Sequence, residues 1–231
     1  MCNFLHNINT LIRRVQQDTG EKQQALYEGI AKYLTIKRRY DSNEILRQRG
    51  VETPEFQTVF NDFYALRGQV NRQNLWKLIS KRVVREPLDQ AIRDAIISIS
   101  YDSHRNGRII PTVQFSFATK AFHTIRNELP IYDDIVGEQF FGLAVRQNVS
   151  YEERLASAVE CYAMLCGYYE RRYKNGLQKL VAEYDKLVKH NDRFSYKKNI
   201  FSTNKALTLV SDVKKIDFMI WSFREKKKKA K

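Results

Sequence analysis

The chain has 231 residues, 43% of them hydrophobic, and carries 40 Lys and Arg against 26 Asp and Glu for a formal net charge of +14. Such a balance excludes an intrinsically disordered chain and allows one large helical domain or two small ones, either able to bury its own core. No stretch approaches the roughly 18 consecutive apolar residues of a membrane span. Met1 to Arg14 mixes polar with apolar positions and does not read as a secretion signal.

The predicted elements are helices almost throughout. Phe4, Leu5, Ile8, Leu11, Ile12 and Val15 recur at intervals of three and four, the spacing of one helix face. Glu21 to Arg39 continues the pattern with Leu26, Ile30, Tyr33 and Leu34. Asp41, Ser42 and Asn43 offer caps for a shorter helix. Thr53-Pro54-Glu55 reads as cap, first-turn proline and favourable acidic residue ahead of Phe56, Val59, Phe60, Phe63 and Leu66. Asn71 starts a helix with Leu75, Leu78 and Ile79, and Pro87 opens another with Leu88, Ile92, Ala95, Ile96 and Ile99.

Asp102 to Gly107 breaks the pattern at an Asn-Gly turn, which admits a small hairpin near residues 102–113. A helix is expected from about Thr112 to Arg126. Pro130 to Asp134 punctuates, and Ile135, Val136, Phe140 and Phe141 resume a helical face. Ser150 and Glu153 have capping-box spacing and precede the longest periodic run, Leu155 to about Lys189, interrupted at Asn175-Gly176. A last amphipathic element carries Val213, Ile216, Ile220 and Trp221 after Ser211. The fold class expected is all-α, one helical domain over 1–223 with a candidate subdivision near 142–150. A disordered basic tail is expected over 224–231.

The tail lysines supply a minority of the positive charge, so the body of the chain is itself basic. Excess charge of this kind favours a polyanionic partner, because each phosphate neutralised releases counterions. Arg171, Arg172, Lys174, Lys226, Lys227 and Lys228 are the candidate contacts, together with Lys120. The tyrosines Tyr162, Tyr168, Tyr169, Tyr173 and Tyr184, interleaved with cations, suit either base stacking or a core stripe.

Other chemistry is disfavoured. His6, His104, His123 and His190 lack paired spacing, and Cys2, Cys161 and Cys166 fit neither a disulfide framework nor a zinc knuckle; no metal site is expected, and the cysteines read as packing residues in a reducing, cytoplasmic setting. There is no phosphate-cradling glycine loop, dinucleotide fingerprint or serine elbow, so no cofactor is expected. Tyr101 to Arg105 gathers acid-base groups, but adjacent residues rarely converge on one site, and a solvated loop explains them.

The most informative segment is Phe117-Ala118-Thr119-Lys120-Ala121-Phe122-His123-Thr124-Ile125, followed by Leu129-Pro130-Ile131-Tyr132-Asp133-Asp134-Ile135-Val136. An apolar helix leads into Pro-x-x-Asp at the mouth of another helix. This resembles the distal part of the helix-hairpin-helix DNA glycosylase superfamily over about 25 residues. The resemblance implies a catalytic carboxylate at Asp133, which would stabilise positive charge on a sugar or activate a nucleophile as a damaged base departs. The chain departs from the family in that Arg108 to Phe117 contains no glycine, so the phosphate-binding hairpin is missing or remodelled. Lys120 falls later than the Schiff-base lysine of some members, and that role is not carried over to it.

The expectation is therefore a nucleic-acid-binding helical protein, a divergent and not necessarily active relative of DNA glycosylases. DNA or RNA would be the partner. The alternative is a helical interaction protein, homo-oligomeric through the aromatic face of the long helix after Ser150, whose charge serves solubility.

Overall fold

Helix-forming patterns become helices wherever the chain is described. The computed structural model describes residues 2–18, 20–41, 54–64, 71–105, 108–190 and 203–224, and among these it forms eleven helices and one hairpin. In chain order these are α1 (Cys2–Gln16), α2 (Glu21–Asp41), α3 (Pro54–Tyr64), α4 (Arg72–Ser80) and α5 (Leu88–Ile99), then strands β1 (Asp102–Arg105) and β2 (Arg108–Pro111). After them come α6 (Phe115–Ile125), a π-helix π1 (Asp134–Phe140), α7 (Tyr151–Glu170), α8 (Gln178–Lys189), α9 (Thr203–Thr208) and α10 (Asp212–Phe223). The fold is all-α, with the small antiparallel hairpin pairing Asp102 with Pro111 and Arg105 with Arg108. Residues 102–105 thus form a strand, where the polar run Tyr101 to Arg105 reads as loop.

Local chemistry sets most boundaries. The Asn71 side chain accepts from Asn74 N at the start of α4, and Pro87 stands at the N-cap of α5. Ser150 and Glu153 close a reciprocal capping box on α7, satisfying two backbone donors that the first turn would otherwise leave unpaired. The long periodic run splits into α7 and α8 across turns at 171–177, where Gly176 adopts φ +83°, a left-handed conformation that glycine tolerates. The expected caps at Ser42, Asn43 and Thr53, and the basic tail beyond Arg224, lie outside the described residues.

One core cluster runs from Ile8 in α1 to Phe223 in α10 and includes Phe141, Leu143 and Leu155 on both sides of residues 142–150. α10 is its central element, packed against α1, α2, α8 and π1. Its sequence reads as amphipathic, and Val213, Ile216, Phe218, Met219, Ile220 and Phe223 are all buried, but burial extends beyond this apolar face. Lys214, Lys215 and Asp217, which look like a solvated face, are therefore drawn into the interior. Trp221, read as apolar face, is the residue left 43% exposed.

Candidate functional site

The site begins with two side chains on one face of α6. Thr119 Oγ1 donates to Tyr132 O at 3.2 Å and accepts from Tyr132 N at 3.0 Å. One turn on, His123 Nδ1 lies 2.7 Å from Leu129 O, and its Nε2 lies 3.3 Å from the Tyr33 hydroxyl. Burial, chiefly, and the nearby Lys214 depress the His123 pKa to about 3, so the ring is neutral. Nδ1 must then carry the proton donated to Leu129 O, leaving Nε2 to accept from Tyr33. His123 is a structural pin that holds the extended stretch from Leu129 to Asp133 against α6.

That stretch delivers Asp133 to the mouth of π1. Asp133 Oδ1 accepts from Ile135 N at 2.9 Å and Val136 N at 2.8 Å, an N-cap bound at two amides. The wider π turn, with Phe141 N bonded to Val136 O, contains an unusually close approach. A Cβ at Gly137 would lie 2.1 Å from Tyr132 Cε2, so the tyrosine ring occupies the space a side chain would need. Tyr132 is fixed at its other end by donation to Leu143 O at 2.7 Å.

Asp133 Oδ2 accepts from the indole nitrogen of Trp221 at 2.7 Å. The two residues stand in the wall of a half-open cavity of about 370 Å³ bounded by α2, α3, α6, π1 and α10. Its size lies at the lower end of the roughly 300–1,000 Å³ typical of small-molecule sites. Lys120, Lys214 and Asp217 line it, and Arg224 lies over the Trp221 ring at 3.9 Å at its edge. Carboxylates and cations occur in equal number around the wall, so the cavity is not a simple phosphate cradle. A second, more open depression of about 440 Å³, between α4 and α5, is lined by residues such as Lys77, Lys81 and Ser98 and by no buried ionisable group.

Burial displaces several ionisable groups that line the cavity, Lys120, Lys214 and Asp217 among them. Burial lowers the Lys120 pKa, opposed by the carboxylates of Asp133 and Asp134, and its Nζ donates to Tyr64 O at 3.3 Å. Lys214 is buried within 5.1–5.5 Å of the Tyr33, Phe63, Tyr64 and Phe218 ring centres. Desolvation lowers its pKa, against the attraction of Asp217 and Asp133. Asp217 is raised by desolvation, against the pull of Lys214 and of the Tyr169 hydroxyl, which donates to Oδ1 at 2.5 Å. A pocket that brings displaced amines together with a displaced carboxyl is a place where acid-base or nucleophilic work concentrates.

The residues expected from sequence divide into two sets. Asp133 and Lys120 come together in this cavity. Arg171 and Lys174 are exposed on the 171–177 turn, and Arg172 is half-buried, 3.6 Å from Asp212 Oδ2; none of the three lines the cavity. Lys226, Lys227 and Lys228 lie outside the described residues. Tyr162, Tyr169 and Tyr184 are buried, which makes that stripe core, while Tyr173 is exposed. Cys161 and Cys166 are buried free thiols, and among the described residues no cluster of His, Cys, Asp and Glu could hold a metal. No described helix is long and apolar enough to cross a membrane.

Lys214, Asp217, Trp221 and Arg224 escape a reading of the sequence because they meet Asp133 only through the fold. The signal they do leave is a largely apolar helix that still carries Lys214, Lys215 and Asp217, charges which the interior must pair. No family model, curated protein or solved structure matches the chain.

Proposed function

We propose that this is a nucleic-acid-binding helical protein, a divergent relative of the DNA glycosylases, whose cavity receives a nucleoside drawn out of the strand with Asp133 facing its sugar. The observation that carries the reading is the placement of Asp133: the carboxylate singled out by the Pro-x-x-Asp resemblance caps π1 and stands in the wall of the half-open cavity. Two backbone amides and an indole hold it in an acceptor role before any ligand arrives. A preorganised carboxylate of this kind stabilises positive charge developing at a sugar carbon, or takes a proton from an attacking group.

Phosphate affinity comes from outside the cavity, whose own charges balance. Exposed Arg171 and Lys174, with the lysines after Arg224, supply the electrostatic attraction. The interaction-protein alternative loses its chief support, since Tyr162, Tyr169 and Tyr184 are already consumed by the core.

Salt-dependent binding tests the reading. Fluorescence anisotropy with plain duplex DNA and single-stranded RNA should show affinity that falls steeply and log-linearly with salt. Binding that is indifferent to salt, or no binding at low salt, would reject nucleic acid as the partner.

A further inference from the structure

The cavity wall holds a gap between two buried polar atoms. Lys214 Nζ lies 4.0 Å from Asp217 Oδ2, beyond hydrogen-bond distance, and the rings of Tyr33, Phe63, Tyr64 and Phe218 attract the amine through their faces. Asp217 is only 2% exposed, and its Oδ2 has no hydrogen-bond partner among the described residues. Tyr169 holds Oδ1, and the Ile131 backbone draws the carboxyl toward its ionised form without satisfying Oδ2. A buried acceptor left without a donor costs stability, so an orphan lining a cavity marks a place for a ligand's polar group.

A hydroxyl oxygen about 2.8 Å from each atom spans the gap, accepting from one and donating to the other. The match holds whichever member of the pair carries the proton, because a hydroxyl does both. Position says which hydroxyl it is. Lys214, Asp217 and Trp221 recur at intervals of three and four and share one face of α10, and Trp221 donates to Asp133 Oδ2. The pair therefore stands about one helical turn along α10 from the contact with the carboxylate that the reading above sets against a sugar. Within a strand the 3′ and 5′ oxygens are esterified. The 2′-hydroxyl is then the only sugar group that both donates and accepts, and ribose alone carries it.

We propose that Lys214 and Asp217 form a 2′-hydroxyl subsite, so that the nucleoside admitted to the cavity is a ribonucleoside. The inference rests on the function proposed above and names the sugar that it leaves open. The 2′-hydroxyl bridges Lys214 Nζ and Asp217 Oδ2, whereas a deoxyribose in the same place leaves both buried groups unpaired. A site built around a hydroxyl discriminates strongly against the analogue that lacks it. The ribonucleoside comes either as an unpaired residue of a strand or free in solution.

The test is fluorescence anisotropy with the full chain and three DNA duplexes that differ at one atom group. Each carries a single bulged nucleotide whose 2′ position bears hydrogen, hydroxyl or O-methyl. Calorimetry with each of the four free ribonucleosides and their 2′-deoxy forms makes the second arm. The expected result is affinity at least about 10-fold tighter for the 2′-hydroxyl duplex than for the 2′-hydrogen one, the usual worth of a hydrogen bond to a charged group. The O-methyl duplex gains no such advantage, because an ether oxygen accepts but cannot donate. Lys214→Met and Asp217→Asn each bring the ratio of hydroxyl to hydrogen affinities toward one. The comparison of probes in the unsubstituted protein keeps the test valid even if a variant folds poorly. A ribose preference among free nucleosides without binding of any duplex supports the subsite and removes a strand as its source. Equal affinity for the hydroxyl and hydrogen duplexes overturns the subsite while the nucleoside reading stands. A preference that survives both substitutions, or that the O-methyl duplex shares, overturns it too, and no binding of any probe overturns both readings.

Discussion

The indole N–H of Trp221 donates to Asp133 Oδ2 across 88 residues of sequence, tying the last described helix to the carboxylate that caps π1. Asp133→Asn separates the two jobs of that carboxylate. The asparagine oxygen still caps the π-helix, whereas its NH₂ group confronts the indole N–H, donor against donor. The expected loss is about 1–3 kcal/mol of stability. Trp221→Phe alone should cost about 1 kcal/mol or less, since the indole is 43% exposed and the ring is retained. Urea titration of both single variants and the double variant should show costs that fall short of additivity by about 1 kcal/mol.

Gly137 is required by a close approach and not by backbone conformation. A methyl group there would lie 2.1 Å from Tyr132 Cε2, and the tyrosine is anchored through its hydroxyl to Leu143 O. Gly137→Ala should therefore destabilise by about 3 kcal/mol or more, the upper end for overpacking. Tyr132→Leu in the same chain should recover part of the loss, although neither change adds a favourable contact. Denaturation midpoints of the three variants check this.

His123 makes a signed prediction about acid. Its folded pKa of about 3 lies below the ordinary value of 6.5, so between these limits the unfolded chain binds the extra proton. Its contribution is fully present above pH 6.5 and is lost as pH falls toward about 3. The maximum slope from one group is about 1.4 kcal/mol per pH unit. His123→Gln should flatten the stability profile over that window, whatever its effect at neutral pH; an unchanged slope in chemical denaturation between pH 6 and 4 would show that the ring is not held neutral.

Much of the fold is legible in the sequence because local chemistry sets it. Asn71, Pro87, Ser150 and Ser211 mark real helix starts, and the hairpin expected near residues 102–113 is present as strands Asp102–Arg105 and Arg108–Pro111. Asp133 is legible as a cap for the same reason, and Lys120 by its nearness in the chain. The rest of the cavity is not. Lys214, Asp217 and Trp221 acquire their meaning from burial of α10 on all sides, a tertiary event that a single-helix pattern does not encode. The close approach of the Tyr132 ring to Gly137 is equally hidden, since it is a contact that only the folded chain creates.

The Lys214–Asp217 pair should respond asymmetrically to removal of the carboxylate. Asp217→Ala leaves Lys214 buried without its partner and Tyr169 without an acceptor, a change expected to cost about 3–5 kcal/mol. Asp217→Asn keeps an acceptor for the Tyr169 hydroxyl and should cost less than half as much. Equal costs for the two variants, measured by guanidinium unfolding, would mean that the tyrosine bond contributes little.

The most direct measurement is the affinity of the full chain, and of Asp133→Asn, for two labelled duplexes at physiological salt, one plain and one carrying an abasic-site analogue that exposes a single sugar. If Asp133 faces a sugar inside the cavity, the unsubstituted protein prefers the abasic duplex and Asp133→Asn loses that preference while keeping its affinity for plain duplex. Equal affinity for both duplexes, or a preference that survives Asp133→Asn, would contradict a role for the cavity in nucleic-acid recognition.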